Sequence, residues 1–79
     1  MIKVLFFGPV AERVGCTALS VEYRAGLRLQ DLRDDLSTQY PQAFEIVCFM
    51  AVNGAHVRDL ALELADHSEV AFMAKFSGG

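Results

Sequence analysis

Cysteine, histidine and charge of one sign are all scarce in this chain, and each shortage removes a class of function. The two cysteines, Cys16 and Cys48, stand far apart with no Cys-x-x-Cys pair and no nearby pair of histidines. Neither a zinc site nor a dithiol redox motif has its ligands. The sequence does not open on a basic segment, a long apolar segment and a small-residue cleavage site, so the cytoplasm is the expected compartment and a disulfide is not expected. Both cysteines read as small buried thiols. His56 and His67 are the only imidazoles, each among polar neighbours in a turn or at a strand edge, which predicts exposed side chains and no general base. Asp34-Asp35 falls on the outer face of a helical pattern and reads as a solvated pair of carboxylates. Gly8 belongs to neither a Gly-x-Gly-x-x-Gly nor a Gly-x4-Gly-Lys pattern, so nothing suggests phosphate binding.

Seven Lys plus Arg against ten Asp plus Glu give a formal charge of −3 without a run of like charge. Nucleic acid and anionic membranes are therefore not expected partners. The longest apolar stretches, Val4–Phe7 and Ile46–Val52, fall far short of the roughly 20 residues that cross a bilayer. A length of 79 residues predicts a single small domain. Apolar residues make up 53% of it, whereas a chain of this size buries only about 60% of the surface its unfolded form exposes. The surplus either marks a face covered by a partner or consists of small residues that need no cover.

Met1–Phe7, polar only at Lys3 and closed by Gly8-Pro9, predicts a central strand with much of both faces buried. Pro9 suits the first turn of a short helix and Gly15 its exit, with Val10 and Val14 on one face. Leu19, Val21 and Tyr23 alternate with Ser20, Glu22 and Arg24, the pattern of a strand with one wet face. Leu29, Leu32, Leu36 and Tyr40 recur at helical spacing. No Ser, Thr, Asp or Asn caps the start near Leu27, and Pro41 ends the helix. Phe44–Val52 predicts an apolar strand, Asn53-Gly54 a tight hairpin turn and Ala55–Val57 the return strand. Leu60, Leu62 and Leu64 fit either an extended segment or a helical turn, and Asp66-His67-Ser68 a turn before a last strand, Glu69–Met73. One amphipathic helix on a mixed sheet of four to five strands, with an additional short helix, predicts an α+β, ubiquitin-like β-grasp roll.

The chain closes with Phe76-Ser77-Gly78-Gly79. Without Cβ atoms, Gly78 and Gly79 can thread through a narrow channel and present the terminal carboxylate first. Three extended residues reach about 10 Å beyond the fold. This divides the chain into a domain at residues 1–75 and a flexible diglycine tail at 76–79.

Met1–Gly8, Ala11–Gly15, Leu32-Arg33, Ala51–Gly54, Glu69–Phe72 and Gly78-Gly79 together resemble the small, sulfur-carrier subunits of molybdopterin synthase, within the MoaD/ThiS-like β-grasp family. The resemblance covers nearly the whole chain. It implies that an E1-like adenylyltransferase uses ATP to activate the carboxylate of Gly79, which then becomes a thiocarboxylate. It further implies insertion into the large subunit of molybdopterin synthase, which would supply the catalytic residues, and sulfur donation to the molybdopterin dithiolene. No cofactor is expected on the chain itself. By position, the implied partner contacts are Phe7, Met73, Lys75, Phe76 and Ser77. The family's two prolines before the tail are replaced by Ala74 and Lys75, which gives a freer and more charged approach. Its Asp-Gly-Asp turn is replaced by Asp66-His67-Ser68. Related readings are a carrier serving thiamine, thiolated tRNA or cysteine synthesis, and an interaction module whose tail is never activated.

Overall fold

The computed structural model describes residues 1–75. Five strands form one mixed sheet in the order β2-β1-β5-β3-β4, comprising β1 (Ile2–Phe6), β2 (Ala18–Val21), β3 (Val47–Val52), β4 (Ala55–Val57) and β5 (Glu69–Ala74). β1 and β5 run parallel at the centre, and every other pair is antiparallel. Three helices, α1 (Gly8–Val14), α2 (Leu29–Gln39) and α3 (Pro41–Phe44), connect them. This is the predicted ubiquitin-like β-grasp arrangement.

The core lies between the helices and one face of the sheet. Ile2, Val4 and Phe6 of β1 and Val70 and Phe72 of β5 are each at most 2% exposed there, packed with Val10, Leu29, Leu32 and Leu36. Burying each such side chain contributes about 1.5–3 kcal/mol. The other face carries no helix: Lys3 is exposed and Leu5 only partly buried. The expectation that both faces of β1 are buried is therefore corrected. In a two-layer roll, a strand can be central by pairing and still bare on one side.

The start of α2 lacks a conventional cap because its free N–H groups find partners elsewhere in the fold. The Arg28 N–H donates to Asp31 Oδ2 at 2.9 Å, giving one half of a capping box. The N–H groups of Leu29 and Gln30 donate to the carbonyls of Leu62 and Leu60 at 2.8 and 2.9 Å. The Leu60–Leu64 segment thus takes the extended alternative, with Glu63 bridged antiparallel to Arg28 and the Leu64 N–H bonded to the Leu27 carbonyl at 2.8 Å. It seals a helix terminus and inserts Leu64 into the core.

Three further boundaries differ from the sequence pattern. Pro41 ends α2 but also opens α3, because its fixed φ suits a first helical turn. Phe44 accordingly closes a helix, its ring edge-on to Phe72 at 5.0 Å, and β3 begins only at Val47. β2 ends at Val21, two residues before Tyr23. The hairpin is as predicted, with Asn53 at φ 50° and Gly54 at φ 83°. Asn53 Oδ1 also accepts the Glu69 N–H at 2.9 Å, fastening the turn to the start of β5.

Candidate functional site

The bare face of the sheet becomes more apolar toward the end at which the chain leaves β5. Strand register places Ser20, Lys3 and Glu69 in one polar row at the other end. The next row crosses the whole sheet as Ala18, Leu5, Ala71, Ala51 and His56. Beyond it, Met73 pairs with Phe49, whose ring lies 5.4 Å from that of His56. Phe7 continues β1 in extended conformation, and its N–H approaches the Phe72 carbonyl at 3.4 Å. Its side chain is 46% exposed and helps line an open cleft with Leu5 and Ala18. A core role for Phe7 is thereby excluded.

The chain leaves the sheet at Ala74, which is buried opposite Val47. Lys75 follows, exposed, in a cleft of about 410 Å³ formed with Pro9 and Arg13 of α1 and with Glu45, Ile46 and Cys48. Arg13 is fixed at its rim by a 2.9 Å bond from Nη1 to the Gln42 carbonyl. Phe7, Met73 and Lys75 therefore lie at one end of the sheet. Phe76, Ser77, Gly78 and Gly79 lie outside the described residues.

Sequence reasoning missed Phe49, Ala51, His56 and Ala71 as members of this surface. A wholly apolar stretch such as 46–52 shows no alternation, so it carries no signal for which residues face outward. The cysteines require a correction as well, since both are exposed where burial was expected. Cys16 lies in the bend after α1, and Cys48 occupies an irregular position in β3 where the register with β5 shifts between Val47 and Phe49. Neither position has a layer packed over it.

The two histidines are exposed as expected, His67 in a turn at φ 67° and His56 on β4. The remaining perturbed charge lies at the opposite end of the sheet. The N-terminal ammonium 2.7 Å from Asp66 Oδ1 holds that carboxyl below its ordinary value, with the neighbouring His67 acting in the same direction. Among the described residues no group of three His, Cys, Asp or Glu side chains could hold a metal ion. The chemistry of the bare face is that of a contact surface beside a departing chain end.

Comparison with solved structures gives the same fold at low sequence identity. SAMP1 from Haloferax volcanii is 21% identical with a TM-score of 0.83, covering 99% of this chain and 98% of that one. Urm1 from Trypanosoma brucei is 21% identical with a TM-score of 0.77, covering 99% and 94%. A structure of the complex of subunits 1 and 2 of the molybdopterin-converting factor from Helicobacter pylori contains a match at 23% identity and a TM-score of 0.68, covering 99% and 97%. Comparison with curated protein sequences gives no match. The ThiS family model, by contrast, matches residues 4–79, from the first strand through both terminal glycines. The chain belongs to the ThiS family, and its fold is a ubiquitin-like β-grasp.

Proposed function

We propose that this chain is the sulfur-carrying small subunit of a molybdopterin synthase and that its reactive group is the carboxylate of Gly79. The observation that carries the proposal is the family match, which runs through Gly79. A carboxylate with an ordinary pKa of about 3.3–3.7 is ionised and a poor acceptor at neutral pH, so a partner has to activate it. An E1-like enzyme would join the Gly79 carboxylate to the α-phosphorus of ATP and release pyrophosphate. A sulfur nucleophile would then displace AMP from the acyl carbon, leaving a thiocarboxylate. Its sulfur is soft and polarisable, suited to attack on an electrophilic pterin carbon held by a large subunit. Loss of the acyl group to water would restore the carboxylate.

Partner recognition is assigned to the apolar rows of the bare face, in particular Phe7, Phe49 and Met73, with Lys75 at the tail exit. The Helicobacter pylori complex supports a large-subunit partner. The test is intact mass after incubation with an activating enzyme, ATP and a sulfur source. One oxygen-for-sulfur exchange at Gly79 is expected, followed by dithiolene formation when a large subunit and the pterin precursor are added. An unchanged mass under active sulfuration rejects the carrier reading. A second reading draws on SAMP1, a small archaeal modifier protein, whose TM-score of 0.83 equals that of a molybdopterin converting factor subunit 1 from Pyrococcus furiosus. If sulfuration occurs without dithiolene formation and Gly79 becomes linked to lysines of other proteins, the chain is a modifier.

A further inference from the structure

A notch at the β4 edge of the sheet is built to take another strand. β3 has six residues and β4 only three, paired from Val52↔Ala55 to Met50↔Val57. Past Val57 the chain turns away: Asp59 Oδ1 accepts the Ala61 N–H at 3.0 Å, and Leu60 passes beneath α2 to bond Gln30. The first half of β3, Val47–Phe49, is consequently left without a neighbour on that side. β4 pairs only with Met50–Val52, so the Val47–Phe49 edge of β3 has no β4 partner among the described residues. The β-bulge against β5 at this position turns the strand further outward.

The walls of the notch are basic. A cleft of about 360 Å³ here is bounded by Arg33 of α2, by His56 and Arg58 around β4, and by the apolar side chains of Val47 and Leu60. Among the described residues neither Arg33 nor Arg58 has a carboxylate within ion-pair distance, whereas Arg13 and Arg24 do. Asp59, next to Arg58 in sequence, is engaged with its own turn, and Asp34, next to Arg33, makes no ion pair with it. Two uncommitted guanidinium groups beside an open strand edge are notable in a chain of net charge −3.

We propose that this notch docks an extended, acidic segment of a partner protein, which adds to β3 as a strand in line with β4. The unpaired edge of Val47–Phe49 would bind the segment's main chain, and Arg33 and Arg58 would select its carboxylates. The proposal does not rest on sulfur carriage, because its test needs neither an activating enzyme nor a sulfur source.

The probe is a blocked synthetic peptide, Glu-Val-Asp-Val-Glu, titrated into the full chain while backbone amide resonances are followed. Shifts centred on Val47–Phe49 are expected, with affinity falling severalfold as salt rises from about 0.05 to about 0.5 M. The double variant Arg33→Glu, Arg58→Glu should weaken binding about tenfold or more, with its fold verified by an unchanged unfolding midpoint. Should that variant not fold, Arg58→Gln alone and a peptide N-methylated at its central residue provide the same test, and each should bind severalfold more weakly. Equal binding of a Lys-Val-Lys-Val-Lys peptide, or shifts confined to the Leu5–Met73 face, overturns the proposal. Tighter binding after removal of residues 76–79 would make the occupant this chain's own end, and peptide-independent self-association at Val47–Phe49 would make it a second copy. Either result also overturns it.

Discussion

The two faces of the sheet are made by the same strands from similar residues, yet they serve different ends. On the inner face, Phe6 and Phe72 stack at 6.2 Å and vanish beneath the helices. On the outer face, one residue along the chain, Phe7 is 46% exposed and Met73 only partly covered. The difference lies in what packs opposite. The helices contribute one layer, so a chain of this length can seal one side of its sheet. The apolar surplus in the composition resolves accordingly. Much of it lies in rows on the bare face, where it adds little to folding and is available for association.

The largest expected effect tests the inner face. Phe72→Ala removes a ring in contact with both Phe6 and Phe44, and chemical denaturation should show a loss of about 3–5 kcal/mol. For a domain whose total stability is expected to be about 4–12 kcal/mol, that is enough to leave a sizeable unfolded fraction. Phe7→Ala and Phe49→Ala address the outer face. Each should change stability by less than about 1 kcal/mol. Each should also lower the affinity for the activating enzyme or large subunit by about tenfold, as measured by titration calorimetry. If Phe7→Ala costs as much stability as Phe72→Ala, the contrast between the faces is wrong.

The smallest effect lies at the polar end shared by both faces. The pairing of Asp66 with the N-terminal ammonium lowers its pKa from an ordinary 3.8 in the folded chain. A depressed folded-state pKa adds stability above the unfolded value, and the contribution is lost as pH falls through the folded one. Asp66→Asn should therefore lower the unfolding midpoint slightly at pH 7 and converge with the unaltered chain in strong acid. Both groups are exposed, so added salt should reduce the difference. A difference that grows in acid would contradict the ion pair as its source.

Much of the fold was legible because its signals are local. Asn53-Gly54 specifies a turn through positive φ at two adjacent positions, and the Leu29, Leu32, Leu36 stripe specifies a helix face. Signals that failed were ones in which distant segments intervene. Arg28 is a poor cap by residue type, and only the carbonyls of Leu60 and Leu62, more than thirty positions away, complete the helix start. Val47 and Phe49 would share a face in an unbroken strand. The bulge at Cys48 instead turns Val47 toward the core and Phe49 toward solvent, and no period in the sequence encodes that shift.

The candidate site divides the same way. The diglycine end and the family pattern are written along the chain, as are Phe7, Met73 and Lys75 as positions near its exit. Their gathering with Phe49 and His56 on one surface depends on the parallel pairing of β1 with β5 and on the register of β3. The sequence by itself determined the order of the five strands and of α1 and α2, the hairpin and the terminal group, since each follows from neighbours within a few positions. The tertiary structure alone decided which apolar side chains were covered and that both cysteines were exposed. Burial depends on the layer opposite, and that layer comes from residues remote in the chain.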